Sequence, residues 1–580
     1  MNHLTRVVVH GFLAVATLNV SGGCTSPSNY LRNGFKVGPN LCVPSGNPAA
    51  QWIDAADVRI KSASDETTGW WTVLNDQTLD SLISTASTQN LTLREAGSRV
   101  LEARAQLGIT AGGLFPQTQE AFGGYQREAY SRVANSTDGF ATQFFDQYTM
   151  GFNLAWEIDF WGRLRRAINA AEVTLGASCA NYDDVMVTLI GDVASNYVQF
   201  RTLEQRIAYV NSNVELQRKI LDIADRRVKA GAKGTLDFKQ ASSNMNQTEA
   251  QVPQLKMLLR QTTNRLCLLM GMAPSDLEQQ LVAGSIPTAP SSIATGMPTE
   301  LLQRRPDVRR AQLQAEAQAE QIGIAEADLY PMIAINGTIG YLSETPANLF
   351  TASALTGTLG PTFQWKILNY GRIRNNMKQQ EARFDALVAV YQQTVLRANA
   401  EVEDGLAMFL RSQERATFLE NSVSDSKEAV GLAEKDYQKG ATDFTRLALI
   451  ELNLVQQQDL LAQTRGDIAQ GLIRVYRALG GGWQNKESID SLPTTTSVAD
   501  SSSSDATFQN TAESQDDNFD TSPTATAVKG KTFLPASRAI PVQVCEALHV
   551  DATELVREKQ GEKNHSPVIS EDAAESPPNQ

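Results

Sequence analysis

Histidine is nearly missing from this chain of 580 residues: His3, His10, His549 and His565 are the only four, so none lies between residues 11 and 548. Catalysis through an imidazole base and zinc held by imidazole are thereby excluded from almost the whole sequence. Cysteine is also scarce. Cys24, Cys42, Cys179, Cys267 and Cys545 form no CxxC pair and no metal-ligand spacing, and on helical patterns such scattered cysteines read as small core residues. Basic charge is in deficit, with a net charge of -13, which argues against a nucleic-acid partner because phosphates demand a basic surface. From Gln484 to Gln580 there are 16 acidic and 7 basic residues, so this stretch alone supplies -9 of the -13. No nucleophile–base pair or phosphate loop stands out, and the reading is of a protein that is not an enzyme and needs no cofactor or metal.

Long apolar runs are lacking too. Val7–Val20 is an apolar stretch after Arg6, interrupted by His10 and Asn19, and it reads as the core of an export signal over residues 1–23. Nothing downstream reaches 18 uninterrupted apolar residues. Any membrane span must therefore be built of strands. Ser21-Gly22-Gly23-Cys24 has the small residues before a lone cysteine that mark a lipoprotein cleavage site, with Ser21 where leucine is usual. Cys24 is accordingly the expected lipid attachment point, and one acyl chain per subunit would assist anchoring.

What is present is patterned, and twice over. Leu114-Phe115-Pro116 recurs as Leu329-Tyr330-Pro331, and Gly108-Ile109 as Gly323-Ile324, at an offset of 215. Gly162-Arg163-Leu164-Arg165 recurs as Gly371-Arg372-Ile373-Arg374, Gly231 matches Gly440, and Leu269-Met270-Gly271 matches Ala478-Leu479-Gly480, all at 209. Between Pro116 and Gly162, Tyr148, Met150, Phe152, Leu154, Trp156, Ile158 and Phe160 alternate with polar or small residues. That run is the length a tilted transmembrane strand requires. Strands are expected at about 118–128 and 146–160 in the first copy, and at about 332–342 and 358–368 in the second. Segments 129–143 and 343–357 read as loops.

After each Gly-Arg the period becomes helical. Ile190, Val193, Tyr197, Phe200, Leu203, Ile207, Val210 and Val214 step by three and four. No proline interrupts 162–230 or 371–439, so each stretch would reach roughly 100 Å as a single helix. Long helices are expected over about 162–271 and 370–480, turning at Gly231/Gly234 and at Gly440. Shorter helices, about 77–112 and 298–328, lead into the strands, with Asn75-Asp76 and Pro306-Asp307 as start signals and Asp307 as a cap. The resulting division is a signal (1–23), an extended arm (24–69), a first unit (70–285), a second unit (286–483) and an acidic, disordered tail (484–580) broken by an apolar patch at Ala539–Val550.

A lipid-exposed sheet must close on itself. Bacterial barrels begin at about eight strands, and this chain offers four. Three copies give twelve, enough to enclose a channel, whereas two copies would fill the lumen with side chains. The expected fold is an α+β membrane protein, a trimeric transmembrane β-barrel continued by a long periplasmic α-helical barrel, built on an internal two-fold repeat.

Several segments carry a resemblance to a known family: WWTVLNDQTLDSLI (70–83), LFPQ (114–117), WEIDFWGRLRR (156–166), LLQRRPDVRRAQ (301–312), ADLYP (327–331), ILNYGRIRN (367–375), QQEARFDAL (379–387), EVEDGL (401–406) and YRALGGGW (476–483). The chain resembles the outer-membrane efflux (TolC-like) proteins, and among them the NodT-type lipoproteins that serve resistance-nodulation-division pumps. The resemblance implies a homotrimer in the outer membrane, a periplasmic adaptor and an inner-membrane pump as partners, and a passive exit duct for small molecules. It places the periplasmic tip, where an adaptor docks, at Gly231, Gly234, Thr235, Asp237, Gly440, Thr442 and Asp443. The gate would fall among Tyr437, Arg446, Leu449 and Glu451; Arg446 and Leu449 stand where some relatives carry acidic residues. The long acidic tail lies outside the family pattern. Two other readings fit the same architecture: the exit duct of a type I protein secretion system, and a non-conducting periplasmic coiled-coil scaffold. Among individual residues, Arg163, Arg165, Arg166, Arg372 and Arg374 read as solvated helix-start residues paired with Glu157 or Asp159, and Glu401, Glu403 and Asp404 as helix surface. Trp156, Trp161 and Trp365 are candidates for an interfacial belt.

Overall fold

The computed structural model describes residues 27–484, apart from 45, 47–48, 62–67, 130–143, 232–234, 278–280, 282–283, 297 and 299–303. Cys24, Gly234, the loop 130–143 and the tail lie outside the described residues.

Four strands form one antiparallel sheet. They are β2 (Thr118–Ala129), β3 (Phe144–Ile158), β5 (Met332–Ser343) and β6 (Leu355–Gln364), in the order β2-β3-β5-β6. Thr118 pairs with Ala155, Phe152 with Ile339, and Met332 with Gln364. The C-terminal ends of β3 and β6 differ from the alternation in the sequence for local reasons. Alternation in the second copy runs on through Ile367, but the β6 ladder stops at Gln364 because its partner β5 begins after Pro331, which has no N–H to offer. β3 ends at Ile158 because Asp159 turns to the next helix: its carboxylate accepts from Leu164 N (2.9 Å) and Arg165 N (3.0 Å).

Each strand pair leads into a very long helix. α4 (Arg163–Lys229) has 67 residues and α8 (Arg372–Lys439) has 68. At about 1.5 Å per residue each is roughly 100 Å long, several times the bilayer core. Gly162 and Gly371 precede them at φ 81° and 80°, a left-handed entry that glycine adopts without strain. α9 (Phe444–Ala478) returns along α8 without a break. In the first copy the return is divided into α5 (Thr235–Glu249) and α6 (Gln251–Leu269). Pro253 explains the division, since its ring disrupts the bond to the carbonyl four residues back, at Glu249. The apolar seam along α4 is buried as its spacing implies: Ile190, Val193, Tyr197, Phe200, Leu203, Val210 and Val214 are all in the core.

The expected helix over 77–112 is two helices, α2 (Gln77–Gln89) and α3 (Leu91–Gly112). Asn90 separates them in an extended conformation, accepting from Leu93 N (2.9 Å) as the cap of α3 while donating to Leu269 O (2.8 Å). An asparagine that serves its own backbone in this way competes with continued helix. Asp76 caps α2 as its position implied, accepting from Thr78 N and Leu79 N. Asp307, by contrast, is not the cap of α7 (Pro306–Ala327). Arg305 occupies that position, and the Asp307 carboxylate is taken by the Arg305 guanidinium at 2.7 Å.

The N-terminal arm is more ordered than its weak patterning implied. It contains a short helix, α1 (Pro27–Arg32), and a strand, β1 (Ile60–Lys61), paired in parallel with β4 (Ile293–Ala294). Trp52 Nε1 donates to Gly296 O (3.0 Å), and Ile53 N donates to Glu403. Among the described residues no helix is long and apolar enough to cross a membrane.

Candidate functional site

Pairing fixes which side chains share a face of the sheet. Residues opposite one another across an antiparallel ladder point the same way, so the register sorts the strands into two sets. On one face lie Tyr125, Tyr148, Met150, Phe152, Leu154, Trp156 and Ile158, together with Tyr341, Ile339, Ile335, Ile333, Leu355, Leu359 and Phe363. Met150, Phe152, Ile339, Leu359 and Phe363 are exposed in the single chain. The opposite face presents Gln126, Gln147, Thr149, Asn153, Thr338, Asn336, Thr356, Thr358 and Thr362. Its polar groups are cross-linked: Asn336 Nδ2 donates to Thr362 (2.8 Å), Thr338 to Asn153 (3.0 Å), and Gln126 to Gln147. An apolar face left bare over four strands, backed by a polar one, is a surface made for lipid on one side and water on the other. β2 and β6 are the free edges of this sheet.

The strand–helix junction is held by three arginines. Arg163 pairs with Glu157 (2.6 Å) and Arg165 with Asp159 (2.9 Å), and Arg372 and Arg374 are exposed. Arg166 departs from the solvated reading. It is 1% exposed, bonded to Glu320 (2.7 Å), Val37 O (2.7 Å) and Gly38 O (2.9 Å). Gly323 leaves room for that guanidinium, which a Cβ there would strike. Further arm contacts, Tyr30 OH to Phe160 O (2.7 Å) and Arg165 Nη1 to Gly34 O (2.6 Å), fasten residues 30–40 to the base of the sheet. All three tryptophans here donate to backbone: Trp156 to Leu114, Trp161 to Pro331 and Trp365 to Leu329. Two of the residues read as helix surface have partners: Glu401 pairs with Arg305 (2.8 Å) and Glu403 accepts from Ile53 N (2.9 Å). Burial alone would raise the Asp307 carboxyl beside them, but the Arg305 hydrogen bond and charge hold it below its ordinary value.

At the far end of the long helices, Gly231 (φ 71°) and Gly440 (φ 76°) make the left-handed turns. Gly440 ends α8, Thr442 is half-buried in the turn, and Asp443 caps α9 by accepting from Arg446 N (2.9 Å). Thr235 opens α5 and Asp237 lies in its first turn. The two hairpins meet at Tyr437. This fully buried ring lies under the Arg227 guanidinium (4.6 Å), its hydroxyl reaches Asp237 (3.5 Å), its carbonyl accepts from Arg227 (2.8 Å), and Phe444 packs edge-on at 5.9 Å. Burial raises the Tyr437 hydroxyl pKa, and the Asp237 charge raises it further.

The remaining gate candidates divide by exposure. Arg446 is exposed and Leu449 is 64% exposed, whereas Glu451 is 3% exposed inside the protomer's own helix packing. The structure therefore joins Tyr437 to Asp237 and leaves Arg446 and Leu449 on the outside of α9. Arg227 is the residue the sequence did not single out. Its only signal was position, at the end of α4 opposite the tyrosine across two hairpins.

Such an assembly, a two-faced four-stranded sheet running into helices far longer than a bilayer, defines an outer-membrane channel subunit. Residues 82–272 and 297–481 match the outer membrane efflux protein family, and the chain belongs to that family. Among curated relatives, the pyoverdine export outer membrane protein OpmQ of Pseudomonas putida is 28% identical over 75% of this chain and 92% of its own. Nodulation protein T of Rhizobium leguminosarum is 27% identical over 77% and 90%, and outer membrane protein OprJ of Pseudomonas aeruginosa is 29% identical over 83% and 98%. The solved outer-membrane channel OprN superposes with a TM-score of 0.73 at 29% identity, covering 77% of this chain and 99% of that one. The Campylobacter jejuni CmeC channel shares the fold at a TM-score of 0.70 and 22% identity. The protein is an efflux protein of the outer membrane.

Proposed function

We propose that three copies of this chain close edge to edge, β2 of one on β6 of the next, into a barrel of 3 × 4 = 12 strands, and that the barrel is the passive exit duct of a tripartite efflux pump. The observation that carries this is the sheet itself: two free edges, one bare apolar face and one polar face. A sheet of four strands has no way to satisfy its edges in lipid alone. Repeated three times, it leaves an aqueous lumen lined by Thr, Asn and Gln. The long helices then continue the duct into the periplasm as a hollow bundle. A periplasmic adaptor would dock on the turns at Gly231, Gly234, Thr235, Asp237, Gly440, Thr442 and Asp443, and an inner-membrane transporter would supply the energy and choose the cargo. The duct performs no chemistry of its own. Relatives named for pyoverdine export and for antibiotic efflux support a small-molecule cargo.

Closure of the tip rests, on this reading, with Tyr437 and Asp237 as the internal tie and with Arg446 and Leu449 as the side chains presented outward. Lipid on Cys24 fits the same geometry. α1 begins three residues after Cys24, a span of about 11 Å at most, and Tyr30 in α1 is tied to Phe160 at the base of the sheet. The acyl chain would thus enter the leaflet beside the barrel.

Planar-bilayer recording of the purified full-length protein tests the duct, with mass measurement of the detergent-solubilised particle for the copy number. Discrete conductance steps from a three-chain particle are expected. A properly inserted particle that never conducts overturns the proposal and leaves the scaffold reading.

A further inference from the structure

The packing of α4 against α9 contains a polar gap near the tip. Asn213 on α4 donates to Gln458 on α9 (2.9 Å), and further toward the tip Ile220 packs in one cluster with Leu447 and Ala448. Gln217 lies between Asn213 and Ile220 on one helix, and Glu451 lies between Ala448 and Gln458 on the other. They occupy the same interval of the antiparallel pair. Each is 3% exposed. Among the described residues, Gln217 has neither amide atom matched, and Glu451 Oε1 is unmatched as well. Three buried polar atoms without partners in one short interval is costly unless the groups serve a state-dependent purpose.

We propose that Glu451 and Gln217 form a proton-dependent latch, which holds the tip end of α9 against α4 while the Glu451 carboxyl carries its proton and lets the seam loosen when that proton passes to solvent. A protonated carboxyl offers one donor and one acceptor, the complement of a primary amide. An ionised carboxylate is acceptor-only, so it would strand the amide carbonyl and bury a charge without a counter-ion.

The surroundings favour the neutral form. From α8 the charged group that acts on Glu451 is Glu434, a like charge; Gln217 and Ile220 of α4 and Ala241 of α5, buried in the same stretch of the helix packing, are all uncharged. Glu215, Arg218 and Lys219 on α4, Lys239 on α5 and Lys435 on α8 are exposed on other faces. Burial first, and the Glu434 charge second, push the Glu451 carboxyl from 4.5 to about 8. In a loosened seam the carboxyl would return toward its ordinary value. The sign follows: below about 4.5 both states are protonated and pH is without effect. Between about 4.5 and about 8 each rise in pH favours the loosened state, and above about 8 the shift saturates. The latch rests on the proposal above only in that its seam lies at the channel tip.

Hydrogen exchange of the purified full-length protein between pH 5 and 9, corrected for intrinsic rates, reads the seam directly. In amides 447–458 the opening equilibrium should rise by up to about tenfold per pH unit between about 5 and 8. Glu451→Gln, which cannot ionise and keeps the shape, should give a flat profile; Glu451→Leu should do the same if the glutamine variant folds poorly. A flat wild-type profile overturns the latch, as does a wild-type slope retained in both variants. Conductance measured in parallel separates the two proposals. Exchange of the expected form from a protein that never conducts supports the latch and sinks the duct, whereas conductance with pH-independent exchange does the reverse.

Discussion

At the scale of single residues, the tightest constraints fall where the arm, the strands and the long helices meet. Arg166 is buried with partners on two different segments, the arm at Val37 to Asn40 and α7 at Glu320. Removing one member of a buried charge pair leaves the other uncompensated, typically at about 3–5 kcal/mol. Arg166→Ala is therefore expected to release the arm and lower thermal stability, with limited proteolysis reporting earlier cleavage within residues 30–60. Arg374→Ala, an exposed residue at the start of α8, should change neither. Equal effects of the two substitutions would show that the clamp carries no stability. Nothing in the sequence distinguished these arginines. Arg166 follows Gly162 by four positions and Arg374 follows Gly371 by three, and only the arm, a segment without strong periodicity, buries one and leaves the other in solvent.

At the scale of elements, the strands and long helices were legible because each follows one rule along its whole length. Period-2 alternation marks β3, β5 and β6 to within a few residues, while β2 has no clear alternation of its own, and the proline-free, period-3.6 stretches coincide with α4 and α8. What escaped was decided by single side chains acting on their own backbone. Asn90 splits a helix, Asp159 ends a strand early to cap the next helix, and Arg305 rather than Asp307 stands at the start of α7. Side-chain capping offers the chain a local alternative that periodicity does not encode. The face assignment is testable on neighbouring residues. Leu359 lies on the apolar face and Thr358 on the polar one. Leu359→Lys should cost about 2–4 kcal/mol if it meets the middle of the bilayer and reduce the amount of assembled channel in membranes. Thr358→Lys should assemble normally and alter only ion selectivity. The opposite pattern would mean that the sheet is turned inside out.

At the scale of the whole molecule, the candidate tip was only partly legible. Gly231 and Gly440 make left-handed turns and Asp443 caps α9, yet burial sorts the four gate candidates in a way that no single-chain pattern reveals: Tyr437 and Glu451 face inward, Arg446 and Leu449 outward. That sorting has a consequence for conduction. If three tips converge on one aperture, three copies of Arg446 approach one another, and their potentials add over distances shorter than the Debye length, about 10 Å at 0.1 M salt. A ring of three positive charges should then disfavour cations, and Arg446→Glu should reverse the preference. Reversal potentials across a salt gradient measure it directly, and the shift should shrink as salt rises toward 1 M, where screening falls to about 3 Å. Arg374→Glu is the control, since the 72 residues that separate it from Arg446 put it roughly 100 Å away along the helices. An effect at both positions would place the selectivity in the overall field of the duct. An effect at neither would remove Arg446 from the aperture, and with it the tip as the narrowest part of the channel.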